Sequence, residues 1–200
     1  ADPTLPMEEA FSQHLKEEEL ELPAGQFALF MNSMYAVDAY VRDYFRKAAL
    51  DALLAEKLPV TVFGEGWEKY SCGDGHSLRR EPAVPFALSF ERIAKAHVLL
   101  NVSPIFNRGM HDRVPAGMAN HAVVLTDENP YLRRTFTGGK ELLFYSLEKP
   151  DTLCEQAERA LTDVRLREKI AASAYETFER EYTWKRRAEQ ILAFAEEVEA

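Results

Sequence analysis

The sequence predicts an α/β fold, a Rossmann-like parallel sheet flanked by helices, with a helical segment ahead of it. Four short apolar runs rich in β-branched residues fall between residues 58 and 145, and each is too short for a helix. Stretches of helical periodicity separate them, and buried strands alternating with helices specify parallel pairing through crossovers. Before Leu58 the pattern is helical and contains no such run. The chain therefore divides into a helical segment, 1–57, and an α/β domain, 58–200.

The first element expected is a helix over 7–22 that ends in the acidic run Glu17, Glu18, Glu19 and Glu21, a solvated face. Pro23, Ala24 and Gly25 interrupt it. One long helix is expected over 27–56. Leu29, Phe30, Met34, Val37, Tyr40, Val41, Tyr44, Phe45, Ala48 and Leu53 recur there at three- and four-residue steps and make a broad apolar face. Arg42 and Arg46 lie one turn apart on a common face, where they can pair with nearby acids or contact phosphate.

The strands expected are 59–63, which stops at Gly64, then 97–102, 122–126 and 141–145, with a weaker one around 77–80. Helices are expected over 89–96, 112–119 and 130–136, the last with Asn129 as N-cap and Pro130 at its first position. The tail is helical. Asp151 is placed as the cap of a helix after Pro150, a second helix covers 164–182, and Thr183 caps a third. That last helix puts Trp184, Ala188, Ile191, Leu192, Phe194, Ala195 and Val198 on its inner side.

Composition narrows the function. The net charge is −9, with 24 basic against 33 acidic residues. Nonspecific binding to nucleic acid or an anionic membrane needs a basic surface, so neither is expected, although a local basic pocket for a small anion remains open. Cys72 and Cys154 are far apart and form no CxxC, which reads as two reduced thiols of a cytoplasmic protein. No run approaches the roughly 20 apolar residues of a membrane span, and no signal peptide is recognisable. The start, Ala-Asp-Pro, leads us to expect part of a longer protein.

In an open parallel sheet, ligands bind outside the carboxyl ends of the strands. The loop after the first strand is Gly64, Glu65, Gly66 and Trp67; its glycines let backbone approach a ligand, or simply make a turn. The loop after 97–102 is the most informative. It holds Ser103, Phe106, Asn107, Arg108, Gly109, His111 and Arg113, and it opens a helix. A helix start has unpaired N–H groups and partial positive charge, and arginine offers phosphate a bidentate fork. The bland alternative is that Arg113 pairs with a carboxylate and His111 merely packs. After the third strand, Asp127 and Glu128 can accept bonds from ribose or sugar hydroxyls, or serve the start of the next helix. The five histidines show no compact metal-ligand spacing, and there is no Walker loop, GxSxG elbow or dinucleotide GxGxxG after a strand. Gly73, Asp74 and Gly75 read as a turn.

Several segments, in order, resemble the group 1 glycosyltransferase-like proteins of the spore-maturation type. They are Val62-Phe63-Gly64-Glu65-Gly66-Trp67, Ile93 through Asn101, Asn107-Arg108-Gly109-Met110-His111-Asp112-Arg113-Val114, and Met118-Ala119 leading into Val123-Val124-Leu125-Thr126-Asp127. Tyr182-Thr183-Trp184, followed by Arg187-Ala188 and Ile191-Leu192, is similar to that family's closing helix. The resemblance covers about residues 42–195. It implies the C-terminal, donor-binding half of a GT-B fold, working with a second half that holds the acceptor. It further implies a nucleoside-diphosphate sugar as donor and no divalent metal or other cofactor. Basic side chains and a helix start would hold the leaving diphosphate, and the loops after the first strand and after Thr126 would line the same site.

The chain departs from the family pattern at two positions where relatives carry glutamates, Arg108 and Ala116, and Asn120-His121 replaces a small pair. Two readings of function follow. One is a glycosyltransferase domain that binds the donor and needs the rest of its parent to act. The other is a catalytically degenerate GT-B half that serves as a binding or scaffolding module. A weaker third is another phosphoester-binding enzyme on the same superfold.

Overall fold

The computed structural model describes residues 2–71 and 77–199. Cys72 and the turn expected at Gly73, Asp74 and Gly75 lie outside the described residues. The elements are, in order, helices α1 (Met7–Glu17), α2 (Ala24–Ser33) and α3 (Tyr35–Ala55), strands β1 (Val60–Phe63) and β2 (Leu78–Glu81), helix α4 (Phe86–Ile93) and strand β3 (Val98–Asn101). There follow α5 (Arg113–Ala119), β4 (Val123–Asp127), α6 (Pro130–Thr135), β5 (Leu143–Tyr145), α7 (Pro150–Thr162), α8 (Val164–Glu181) and α9 (Trp184–Glu199).

Every strand pairing is parallel, as the alternation of strands and helices requires. The ladders form two groups, β1–β2 and β3–β4–β5. β4 is the middle strand of its group, and all five of its residues are buried. Its side chains alternate between two cores because successive residues of a strand face opposite ways. Val123 and Leu125 join Leu143, Tyr145, Leu153 and Ile170 on one face, under α3, α7 and α8. Val124 joins Val114, Met118, Leu132 and Phe144 on the other, under α5 and α6.

The helix expected over 27–56 is two helices. Residue 34 leaves the helical region, with φ −82° and ψ 4°. No proline or glycine marks the break. Ser33 donates its hydroxyl to the Phe30 carbonyl at 2.7 Å beside the break. Only the C-terminal part of α3 reaches a core, through Ala49, Leu50, Leu53 and Leu54. Farther up, Phe27 and Phe30 pack on Phe11 of α1, while Leu29, Tyr35, Tyr40 and Tyr44 are exposed.

Smaller corrections follow the caps. α4 starts three residues before Ser89, because the Pro85 carbonyl accepts the amides of Leu88 and Ser89. Asp151 does not cap α7. Pro150 opens that helix, and Thr152 Oγ1 ties its start by donating to the Lys149 carbonyl and accepting the Ser146 amide. Asn129 caps α6 as expected, its Oδ1 accepting the Leu132 amide at 2.8 Å. Thr183 likewise accepts the Arg186 amide at the start of α9.

The inner side assigned to α9 is not buried. Trp184 is 90% exposed, and Ile191, Leu192, Phe194 and Val198 are exposed with it. Periodicity shows that a helix has an apolar face but not what covers it. Truncation after Thr183 is therefore expected to move the melting temperature by less than about 4 °C, the equivalent of roughly 1 kcal/mol for a chain of this size. A larger drop in a thermal melt would mean that α9 is docked.

Candidate functional site

The carboxyl end of β3 runs into residues 102–112, and a buried polar network fixes the direction they take. Asn101 is 1% exposed; its Nδ2 donates to Thr126 Oγ1 at 2.9 Å, and its Oδ1 accepts from Arg113 Nε at 2.9 Å and from Ser103 Oγ at 3.2 Å. Tyr145 closes the group by donating its hydroxyl to the Asn101 carbonyl at 3.1 Å. Asp127 Oδ1 accepts the Ser103 amide at 2.7 Å. Asn129 not only caps α6 but donates to the carbonyls of Phe106, at 2.8 Å, and Gly109, at 3.3 Å. Four elements thus hold one loop. Ile105 adopts φ +58°, a costly conformation for a β-branched residue, and its amide donates to the Pro3 carbonyl at 2.7 Å.

A cleft of about 130 Å³ opens against this loop. Its walls are Arg42 and Arg46 from α3, residues 102–106, His111 and Arg113. Three arginines and a histidine face it, and among the described residues no carboxylate stands on its wall. This is the local basic pocket that the acidic composition left open. Arg42 and Arg46 were legible as a pair on one helix face. The pairing with acids is seen, Arg42 held by Asp38 at 2.8 Å and Arg46 facing Asp43 at 3.5 Å, and each also lines the cleft.

The expected site residues divide. Ser103, Phe106, His111 and Arg113 come together on the wall. Asn107, Gly109, Asp127 and Glu128 are not among its lining residues. Arg108 is turned away: its guanidinium, 76% exposed, pairs with the Glu9 carboxylate of α1. Glu128 pairs with Arg133, Nε to Oε2 at 2.7 Å. Gly64, Glu65, Gly66 and Trp67 belong to the β1–β2 end and are not on the wall. Trp67 bonds the Phe63 carbonyl and packs with Leu50, Leu54 and Leu78. The amides at the start of α5 are also partly taken, Arg113 N–H by His111 Nδ1 and Val114 N–H by the His111 carbonyl. Side chains, more than helix amides, supply the donors here. Asn101 and Tyr145 were not anticipated; a polar residue ending a buried strand was the available signal for Asn101.

Protonation follows from burial. Desolvation, then the charge of Arg113, lowers the His111 pKa, with Arg46 and Arg42 adding to the effect against an opposing Asp112. Nδ1 lies against both the Arg113 amide, from which it can accept, and the Asp112 carboxylate, to which it can donate, so these two contacts are alternatives. Asp127 is fully buried and its Oδ2 has no hydrogen-bond partner. Burial pushes its pKa up to about 6, against the Ser103 amide and Arg113, which pull it down.

An acid whose pKa is higher folded than unfolded adds stability at low pH that is lost as pH rises through the folded value. The shift from 3.8 to about 6 corresponds to roughly 3 kcal/mol. Asp127→Asn removes that dependence. Relative to the parent, the variant is expected to gain about 2–3 kcal/mol between pH 4 and pH 7.5 in urea unfolding. Identical pH dependence in both proteins would place the Asp127 charge in a far better solvated setting.

Among the described residues no group of three or more His, Cys, Asp or Glu is placed to hold a metal ion, and no helix is long and apolar enough to cross a membrane. The sequence profile of the glycosyl transferase-like family matches residues 42–193. No curated protein resembles the sequence closely enough to count as a match. Solved structures do. Anabaena Alr3699/HepE in complex with UDP is similar at TM-score 0.63 and 11% identity, over 75% of this chain and 44% of that one. Its complex with UDP-glucose gives 0.61 and 12%, with the same coverage. A glycosyltransferase from Rickettsia africae gives 0.63 and 10%, over 78% and 44%. The architecture is that of one half of a GT-B glycosyltransferase, and this chain spans less than half the length of these relatives.

Proposed function

We propose, because the chain belongs to the glycosyl transferase-like family, that it is the donor-binding half of a metal-independent glycosyltransferase and holds a nucleoside-diphosphate sugar. The carrying observation is the convergence of Arg113, His111, Arg42 and Arg46 on one cleft at the carboxyl end of a parallel strand. The Anabaena relative, crystallised with UDP and UDP-glucose, supports the choice of ligand.

The roles follow from chemistry. Arg113, oriented by Asn101, presents its remaining N–H groups to the diphosphate. Preorganised cations at the departing oxygens stabilise charge that develops as the glycosidic bond breaks. Phe106 is 42% exposed beside them and offers an apolar face to the nucleoside. Arg108 enters only by releasing Glu9, so we assign it a secondary part; Gly64, Glu65, Gly66 and Trp67 stand farther out.

The bare faces of α9 and of α2–α3 support the same reading. Their exposed Trp184, Ile191, Phe194, Leu29 and Tyr40 fit a chain that packs against the rest of its parent, where the acceptor would sit. A cytoplasmic location belongs to this proposal too and rests on a sequence with two cysteines, far apart and in no CxxC. A second reading, the degenerate binding module, is favoured by Ala116 and by Arg108 standing where relatives carry glutamates. Calorimetric titration with UDP, GDP and ADP and then their sugar conjugates tests the proposal. Saturable binding of one series is expected. Binding of none of them counts against donor recognition.

A further inference from the structure

We infer that Arg42 and Arg46 form the second jaw of an anion clamp, opposite Arg113, which makes the cleft select a diphosphate over a monophosphate. This rests on the donor reading and adds to it the selection of a second phosphate by the two α3 arginines.

The two arginines are rigidly presented. α3 buries Ala49, Leu50, Leu53 and Leu54, and Phe45 packs on the same core. Arg46 is three residues from Ala49, and Arg42 is one turn farther along the same face, so both rise from an anchored helix. Asp38 orients Arg42 through an Nη2–H hydrogen bond to Oδ1 of 3.2 Å and an ion-pair contact of 2.8 Å between Nε and Oδ2. Arg46 meets Asp43 only at 3.5 Å, with that carboxylate 78% exposed, so its guanidinium is the least satisfied on the wall. The field of this pair reaches across the cleft. Arg46 is, after burial, the largest influence disfavouring charge on Arg113, and both arginines disfavour charge on His111. Repelling cations held on two separate elements gain when one multiply charged group sits between them. One phosphate can satisfy the Arg113 side. A second, joined to it, is what would engage α3.

The test uses UDP, UMP and inorganic diphosphate with the parent chain and with Arg42→Gln, Arg46→Gln, Arg46→Lys and the surface control Arg79→Gln, each checked for an unchanged melting temperature. The parent is expected to prefer UDP over UMP by at least about tenfold. Arg46→Gln and Arg42→Gln should each weaken UDP and inorganic diphosphate by roughly 10- to 100-fold while leaving UMP within a few-fold. Arg46→Lys should restore only part, since lysine lacks the fork. UDP binding with an undiminished preference over UMP in both glutamine variants overturns the clamp and leaves the donor reading standing. Arg46-dependent binding of inorganic diphosphate, with no nucleoside diphosphate bound, supports the clamp and contradicts the donor reading. A parent chain that binds no diphosphate of any kind overturns the clamp.

Discussion

Arg113→Ala is expected to weaken UDP binding by at least about 100-fold, the largest effect of any single substitution in the cleft. A charge-assisted hydrogen bond contributes roughly 1.5–3 kcal/mol, and a bidentate arginine makes two. Arg113 also has a second duty. Its Nε satisfies Asn101 Oδ1, and it is the nearby cation that offsets the buried charge of Asp127. Alanine therefore leaves an under-satisfied acceptor and a less compensated carboxylate, and a stability loss of about 1–3 kcal/mol should accompany the lost affinity. Arg113→Lys separates the two duties. It keeps the charge near Asp127 but cannot present a fork, so stability should recover more than UDP affinity does. Equal UDP affinity in parent and Arg113→Ala, read by calorimetry, would remove this residue from the site.

The second large effect is expected on stability, at Gly117. This residue sits in α5 where the helix lies on the sheet. A Cβ there would collide with Val124 Cγ2 and come within 3.0 Å of Leu99 Cδ2. Val124 is fully buried, so it has little room to move. Gly117→Ala should cost about 1–3 kcal/mol through overpacking, despite the roughly 1 kcal/mol that alanine gains over glycine in a helix. Gly117→Val adds branching in the same space and should cost more than alanine. Because α5 begins at Arg113, lifting it off the sheet would also move the cleft wall. Urea unfolding checks the order parent, alanine, valine. Three equal midpoints would mean that α5 stands clear of β3 and β4.

The parts of the fold that could be read in advance were those with local chemical causes. The runs around Val60, Val98, Val123 and Leu143 are short, β-branched or apolar, and bounded by turn residues, and each is a parallel strand. Asn129 followed by Pro130 named the start of α6 correctly. The parts that escaped depended on distance. Nothing in the order of residues tells that Arg46 and Arg113, 67 positions apart, share a cleft wall. Nor does it tell that Arg108 prefers Glu9 on a helix 99 positions away. The break at Met34 has neither proline nor glycine to announce it. The apolar faces of α9 and α3 were visible as periodicity, but periodicity carries no information about whether a partner surface is present.

On the donor proposal, the diphosphate of a nucleotide sugar lies between α3 and the loop that precedes α5. A crystal structure of the chain with UDP is the decisive test. Phosphate oxygens are expected within hydrogen-bond distance of Arg113 and of Arg42 or Arg46, with the nucleoside beside Phe106. A diphosphate bound instead at Gly64, Glu65, Gly66 and Trp67, with the cleft empty, would contradict it.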